Sequence, residues 1–331
     1  MQNMQNQTFR IAAIDLGTVS SRLVLAQVCD GVIVSSSKHT EITDLGEGVD
    51  ATGRFCEAAV ERVEAACRMF VDEARSFGAQ AVCTTLTSAA RDASNASVLL
   101  DKLVALGLKP QVIPGEVEAR LTFFGVAHDF ENRRIVVADS GGGSTELACG
   151  VYAPADSAFA LDQAVSLNIG CRRVTERFLK GNPPAADELA QASAWAREQF
   201  DAYWQGRAGE RPERLVAVGG TVTTLVAMAY ELERYDSSFV HLHALTFEQV
   251  ERAIQRMSSL TSEQIAQLKG IQPKRARVIL AGAVVIRALM QAGGYDELTV
   301  SENSLLAGMA ATIGETLQGQ PTTIGWTPEL S

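Results

Sequence analysis

Two kinds of apolar pattern alternate along the chain. Short runs rich in Val, Ile and Leu, bounded by glycine or polar clusters, predict strands. In the first part they fall at Phe9–Asp15, Arg22–Val28, Val32–Ser36, Ala81–Thr85 and Lys109–Ile113. Stretches with apolar residues three and four apart predict helices at Phe55–Phe77, Ala93–Leu106 and Gly115–His128. The second part repeats the theme. Strands are expected at Ile135–Asp139, Glu146–Val151, Ala158–Leu167, Arg214–Val218 and Glu297–Val300. Helices are expected at Cys171–Leu179, Asp187–Trp204, Thr246–Ser258, Arg275–Ala292 and Leu305–Leu317. Hairpin-joined strands followed by helix–strand alternation, twice over, indicate an α/β chain with a helix-covered mixed sheet in each half.

Two glycine loops interrupt this pattern. "VVADSGGGSTEL" (Val136 to Leu147) sets three glycines between an aspartate and a glutamate. A short β-branched run follows, so the unit reads strand–loop–strand. A dinucleotide fingerprint opens a helix instead, and a Walker loop ends in Gly-Lys-Ser/Thr. The loop is either a hairpin that needs positive φ or a nest of backbone amides that holds an anion. "AAIDLGTVSSRLVLAQV" (Ala12 to Val28) repeats the layout: Asp15 matches Asp139, Gly17 matches Gly141 and Ser20 matches Ser144. Seven residues after each aspartate stand Arg22 and Glu146, respectively. Two matched hairpins, one domain length apart, predict two related lobes facing an interdomain cleft.

Length and composition agree with two domains. The chain has 331 residues, 47 % of them hydrophobic. No 18-residue apolar run stands out, so no membrane span is expected, and the polar start "MQNMQNQTFR" lacks a signal-peptide core. The six cysteines are scattered without a C-x-x-C pair, a pattern of free buried thiols in the cytoplasm. His241 and His243 have no third ligand at a usual spacing and read as loop residues. A net charge of −10 argues against broad nucleic-acid binding. It leaves room for a phosphate substrate held by local arginines and a metal ion.

Six stretches appear in order: "IAAIDLGTVSSRLVL", "TSAARDASN", "PGEVEARLTF", "VVADSGGGSTEL", "SLNIGCRRVTERFL" and "AVGGTVTTLVAM". Together they resemble the exopolyphosphatase/guanosine pentaphosphate phosphohydrolase family, over about residues 9 to 312. The resemblance implies two ribonuclease H-like lobes of the actin/sugar kinase/Hsp70 superfold. One lobe would be residues 1–128, with the helix at 305–318 packing back on it. The other would be 129–304, followed by an irregular tail at 319–331 pinned by Trp326. Longer relatives carry an added C-terminal helical domain, and this chain resembles the short form. The implied partner is inorganic polyphosphate or a phosphorylated guanosine nucleotide, with a homodimer as the expected assembly.

Hydrolysis of a phosphoanhydride needs a positioned water and neutralisation of charge on the transferred group. By spacing alone Glu118 in "GEVEARL" reads first as part of a helix N-cap; the resemblance reverses that, because Glu118 matches the family's catalytic glutamate. Asp139 and Glu146 match acidic residues implicated in catalysis and metal binding, and two carboxylates with waters suit Mg²⁺ or Mn²⁺. Gly141, Gly142, Gly143 and Ser144, with Gly17, Thr18 and Ser20, are the candidate phosphate cradle. Arg22 and Arg91 are candidate phosphate cations, Arg91 just inside a helix start. Gly220 and Thr221, in a stretch that opens a helix directly, are a third candidate contact. Arg172, Arg173, Arg177 and Lys180, and likewise Lys274, Arg275 and Arg277, either guide a polyanion or form solvated faces.

Three departures from the family pattern bear on specificity. Val19 stands where relatives often have asparagine, Val117 where an acidic residue is common, and "SLLAG" (Ser304 to Gly308) lacks an arginine. The expected function is a Mg²⁺-dependent exopolyphosphatase. The alternatives are a guanosine pentaphosphate phosphohydrolase and a non-catalytic nucleotide-responsive protein of the actin or Hsp70 type.

Overall fold

The computed structural model describes residues 7–29, 32–156, 158–207 and 211–331. Residues 1–6, read above as part of a polar start, lie outside the described residues. The chain divides into two compact units. The first takes the chain through Glu131, then residues 152–159 and Ser304–Ser331; the second takes Asn132–Val151 and Ala160–Asn303.

The first unit holds β1 (Thr8–Leu16), β2 (Ser20–Cys29), β3 (Val32–Ile42), β4 (Ala81–Leu86) and β5 (Pro110–Val112). Their order is β3-β2-β1-β4-β5. β1, β2 and β3 pair antiparallel, and β4 and β5 run parallel to β1. β1 is buried on both faces, which is why its sequence is nearly continuously apolar. Ala12, Ile14 and Leu16 enter a core with the helices Glu57–Phe77 and Ala96–Ala105. Phe9, Ile11 and Ala13 enter a second core with the helices Gly115–Ala127 and Leu305–Leu317. Asp15 continues this second parity, so it projects from the sheet face that carries Gly115–Ala127.

Those two helices cross at glycines. A Cβ on Gly308 would overlap the carbonyl of Leu121, and one on Gly125 would overlap the backbone at Ser304. Their backbones therefore touch three residues from Glu118. The tail has little regular structure, and its anchors lie mainly elsewhere than Trp326. Ile324 is buried, Thr323 donates to Glu315, and Ser331 exchanges two backbone hydrogen bonds with Val82, at 2.9 and 3.0 Å.

The second unit holds β6 (Ile135–Ser140), β7 (Thr145–Ala153), β8 (Ala158–Leu167), β9 (Arg214–Val218), β10 (His243–Thr246) and β11 (Glu297–Val300). The order β10-β11-β9-β6-β7-β8 repeats the first scheme with β10 added at one edge. β10 corrects the loop reading of His243. That residue lies in an edge strand antiparallel to β11, its ring 4.5 Å from that of Tyr230. Val136, Ala138, Leu147 and Cys149 enter the unit's core; Asp139 and Glu146 have the opposite parity. The segment Pro273–Gly293 is long and apolar enough to cross a membrane, which the sequence reading did not find, but most of it packs inside this unit as a core helix.

Candidate active site

Both glycine loops are the same hairpin. Gly17 donates to the Ser20 carbonyl and Gly141 to the Ser144 carbonyl, each at 3.0 Å. Two residues, Thr18-Val19 and Gly142-Gly143, make each tip. The positive-φ reading is not realised, because none of Gly17, Gly141, Gly142 or Gly143 is left-handed. Close approach is the reason for glycine instead. A Cβ on Gly141 would lie 3.3 Å from the Ser144 oxygen, and Gly170 packs so near that its Cβ would lie 2.7 Å from the Gly143 nitrogen.

The loop carbonyls are pinned from behind. Gly141 O accepts from Cys171 N at 3.0 Å, and Gly142 O from Arg172 N and Arg173 N at 2.9 and 3.1 Å. Gly143 O accepts from Arg173 Nε at 2.7 Å. In a trans peptide the N–H that follows a carbonyl points the other way. The amides of Gly142, Gly143 and Ser144 therefore face away from the helix Cys171–Phe178, and among the described residues they donate to nothing. The first loop is pinned likewise: Thr18 O accepts from Gly46 N at 2.8 Å, and Val19 O from Thr43 N and Asp44 N. Outward amides around a concave tip form an anion nest.

The residues behind the two tips differ. Asp15 and Arg22 are direct cross-strand partners. Arg22 donates through Nε and Nη2 to Asp15 Oδ2 at 2.9 and 2.6 Å, while the buried Asp15 Oδ1 has no partner. Asp139 and Glu146 are direct cross-strand partners too, both buried, at 6 % and 2 % exposure. Like charges placed so are destabilising without compensation. Glu146 Oε1 accepts from Ser144 Oγ at 2.7 Å and Ser166 Oγ at 2.6 Å. The Ser144 hydroxyl thus orients Glu146. Gly219, at φ +99°, lets the backbone approach Asp139: a Cβ there would lie 3.0 Å from Oδ1. Among the described residues no cluster of three or more His, Cys, Asp or Glu forms a full protein cage for a metal.

Glu118 is buried on the first unit's helix, and Arg91 Nη1 donates to its Oε2 at 2.8 Å and to Ile113 O at 3.0 Å. The cap reading of Glu118 fails, because the N-cap is Pro114, which offers no side-chain partner. Val117 packs at the margin of the apolar core. Arg91 lies in the last turn of the short helix Ser88–Asp92, not at its start. Thr221 is buried, its side chain against Gly282.

Sequence reasoning missed Asp15, although it had aligned that residue with Asp139. It missed Ser166, and it left Arg173 and Arg275 open between guiding a polyanion and forming solvated faces. Arg275 instead lies flat over Gly220, where a Cβ would overlap its guanidinium. Arg172 pairs with Glu176, and Arg177 stacks over the Trp195 ring at 5.4 Å. The six cysteines are free, and burial pushes the Cys67 and Cys83 thiols up to about 12.

Comparison with known proteins gives this arrangement a class. The Ppx/GppA phosphatase family matches residues 24–314. Exopolyphosphatase 2 of Mycobacterium tuberculosis (strain ATCC 25618 / H37Rv) is 36 % identical, over 92 % of this chain and 98 % of that protein. The crystal structure of the Aquifex aeolicus Ppx/GppA family member superposes with a TM-score of 0.77 at 30 % identity, covering 95 % of this chain and 99 % of that one. The guanosine-5'-triphosphate,3'-diphosphate pyrophosphatase of Photobacterium profundum is 27 % identical, over 90 % of this chain and 58 % of that protein. The chain belongs to the Ppx/GppA phosphatase family.

Proposed function

We propose that the protein is an exopolyphosphatase, releasing terminal orthophosphate from linear inorganic polyphosphate with a divalent cation, Mg²⁺ or Mn²⁺. The observation that carries this reading is the buried Asp139–Glu146 pair beside a glycine tip whose amides face outward. Asp139 and Glu146 would hold the cation, which would offset their repulsion and screen charge on the phosphates. The amides of Gly142, Gly143 and Ser144 hold phosphate oxygens. Glu118, kept in place by Arg91, accepts a proton from the attacking water. The water oxygen bonds to the terminal phosphorus and stays on the released orthophosphate, while the bridging P–O bond breaks and the shortened chain leaves with the bridging oxygen. The near full-length relative named Exopolyphosphatase 2 supports polyphosphate as the substrate. Six free cysteines, four of them buried, fit a reducing cytoplasm.

The test is phosphate release from polyphosphate, guanosine pentaphosphate and ATP, each with and without Mg²⁺. The reading expects polyphosphate to be fastest and release to stop with chelator. Faster release from guanosine pentaphosphate would transfer the reading to that substrate, and no release from any of them would overturn it.

A further inference from the structure

We propose that Arg173 is a positioning residue for phosphoryl transfer, acting through the glycine-loop backbone rather than by touching substrate. The inference rests on the function proposed above and adds the device that keeps the anion nest aimed.

Arg173 is buried at 8 % exposure in the first turn of the helix Cys171–Phe178. It meets the loop twice. Its backbone amide donates to Gly142 O, and its Nε donates to Gly143 O at 2.7 Å. Each carbonyl belongs to a peptide whose other end is a nest amide. Gly142 C=O is joined to the Gly143 N–H, and Gly143 C=O to the Ser144 N–H.

Two consequences follow for the Ser144 N–H. Its direction is fixed, because a planar peptide pinned at the oxygen has little freedom at the nitrogen. It is also a stronger donor, because a cation on the carbonyl polarises the same peptide, and chained hydrogen bonds reinforce one another. The three loop glycines carry no side chain that would stiffen the tip, so the pin has to come from outside. Helix amides hold Gly141 O and Gly142 O; the Arg173 side chain holds Gly143 O. Ser144 has a second tie, since its hydroxyl orients Glu146. Displacing the Gly143–Ser144 peptide therefore disturbs the nest and a candidate metal ligand together.

The experiment compares wild type with R173Q and R173K. Removing one preorganised donor of an oxyanion site typically costs about 10²–10³ in kcat; losing only its support should cost less. R173Q should lower kcat on polyphosphate about tenfold or more with KM changed less than threefold. R173K, which keeps a charge able to reach Gly143 O, should recover part of the loss. Added guanidinium at millimolar concentration should raise kcat of an R173A protein and leave wild type unchanged. Orthophosphate affinity, read by calorimetry, should weaken severalfold in R173Q. A lower melting temperature with unchanged kcat per folded protein and unchanged orthophosphate affinity would overturn the inference, leaving only a structural role. If wild type releases no phosphate, the functional reading falls. The calorimetry then still decides this inference: equal affinity in wild type and R173Q overturns it.

Discussion

In the first unit the aspartate near the end of β1 faces an arginine across the hairpin; in the second, the aspartate near the end of β6 faces a glutamate. The hairpins otherwise correspond in register, in the N–H···O bond that closes the turn and in the pinning of their tip carbonyls. The difference is therefore chemical, not topological. Asp15 is neutralised by Arg22 within the protein. Asp139 and Glu146 place two buried carboxyl groups side by side, and Glu146 accepts from the hydroxyls of Ser144 and Ser166. One scaffold thus yields a cross-strand pair of opposite charge and a cross-strand pair of two acids. On the proposed function, the charge of that one cross-strand position sets which hairpin takes the cation, and substitutions that separate the two pairs test this.

The largest expected effect is on turnover. Glu118→Gln should lower steady-state phosphate release by about 10²–10⁴-fold, the usual contribution of a positioned carboxylate. A glutamine oxygen still accepts from Arg91, so a thermal melt of the same sample should change little. Full turnover would remove Glu118 from the chemistry.

Next is the compensated pair. Asp15→Ala leaves Arg22 without its carboxylate and should destabilise by about 3 kcal/mol, the lower end for a broken buried pair because Arg22 keeps some solvent contact. Urea unfolding measures this, and a change below about 1 kcal/mol would show that the pair does not support the fold.

A packing change comes third. Gly308→Ala inserts a Cβ against the Leu121 carbonyl and should cost about 1–3 kcal/mol by overpacking. Turnover should fall with it, because the displaced helix carries Glu118. Unchanged stability and activity would mean that the crossing has slack.

The smallest effect belongs to His39 on β3. Partial burial opposes its protonation, but the carboxylates of Glu73 and Glu41 outweigh that and raise its pKa. A raised folded pKa adds stability below the ordinary value of about 6.5, and this is lost as pH rises through the folded pKa. Melting temperatures of wild type minus His39→Gln should therefore be most positive in mild acid and shrink toward pH 8. A difference that grows with pH would refute the assignment.

Where burial patterns dictate structure, the sequence was legible. β1, β6 and the helices have apolar periods that survive any tertiary context, and their ends shifted by only a few residues. β3 was cut short because "SSKHTEI" is polar. An edge strand largely exposed on both faces needs no apolar alternation, so pattern reading stopped at Ser36 while the strand runs to Ile42. β10 is four residues long and gave no period to detect. At the site, the matched hairpins announced the glycine tips and their carboxylates. What pins the tips was not visible, because Arg173 and Gly170 approach from a distant segment and their role lies in backbone carbonyls. Arg275 reads as one of three neighbouring cations until the fold lays it over Gly220.

The central claim, that the second hairpin and not the first takes a divalent cation, is tested most directly by thermal melts during a Mg²⁺ titration. Wild type, Asp139→Asn, Glu146→Gln and Asp15→Ala would be compared. Ligand bound only by the folded state stabilises it by about 2.7 kcal/mol at a hundredfold excess over the dissociation constant. The account predicts a saturable rise in melting temperature for wild type and for Asp15→Ala, the latter from a lower start. It predicts flat curves for Asp139→Asn and Glu146→Gln, with the metal-free Asp139→Asn protein melting at or above metal-free wild type, because a like-charge contact is gone. A Mg²⁺ response retained in Asp139→Asn, or lost in Asp15→Ala, would contradict the account.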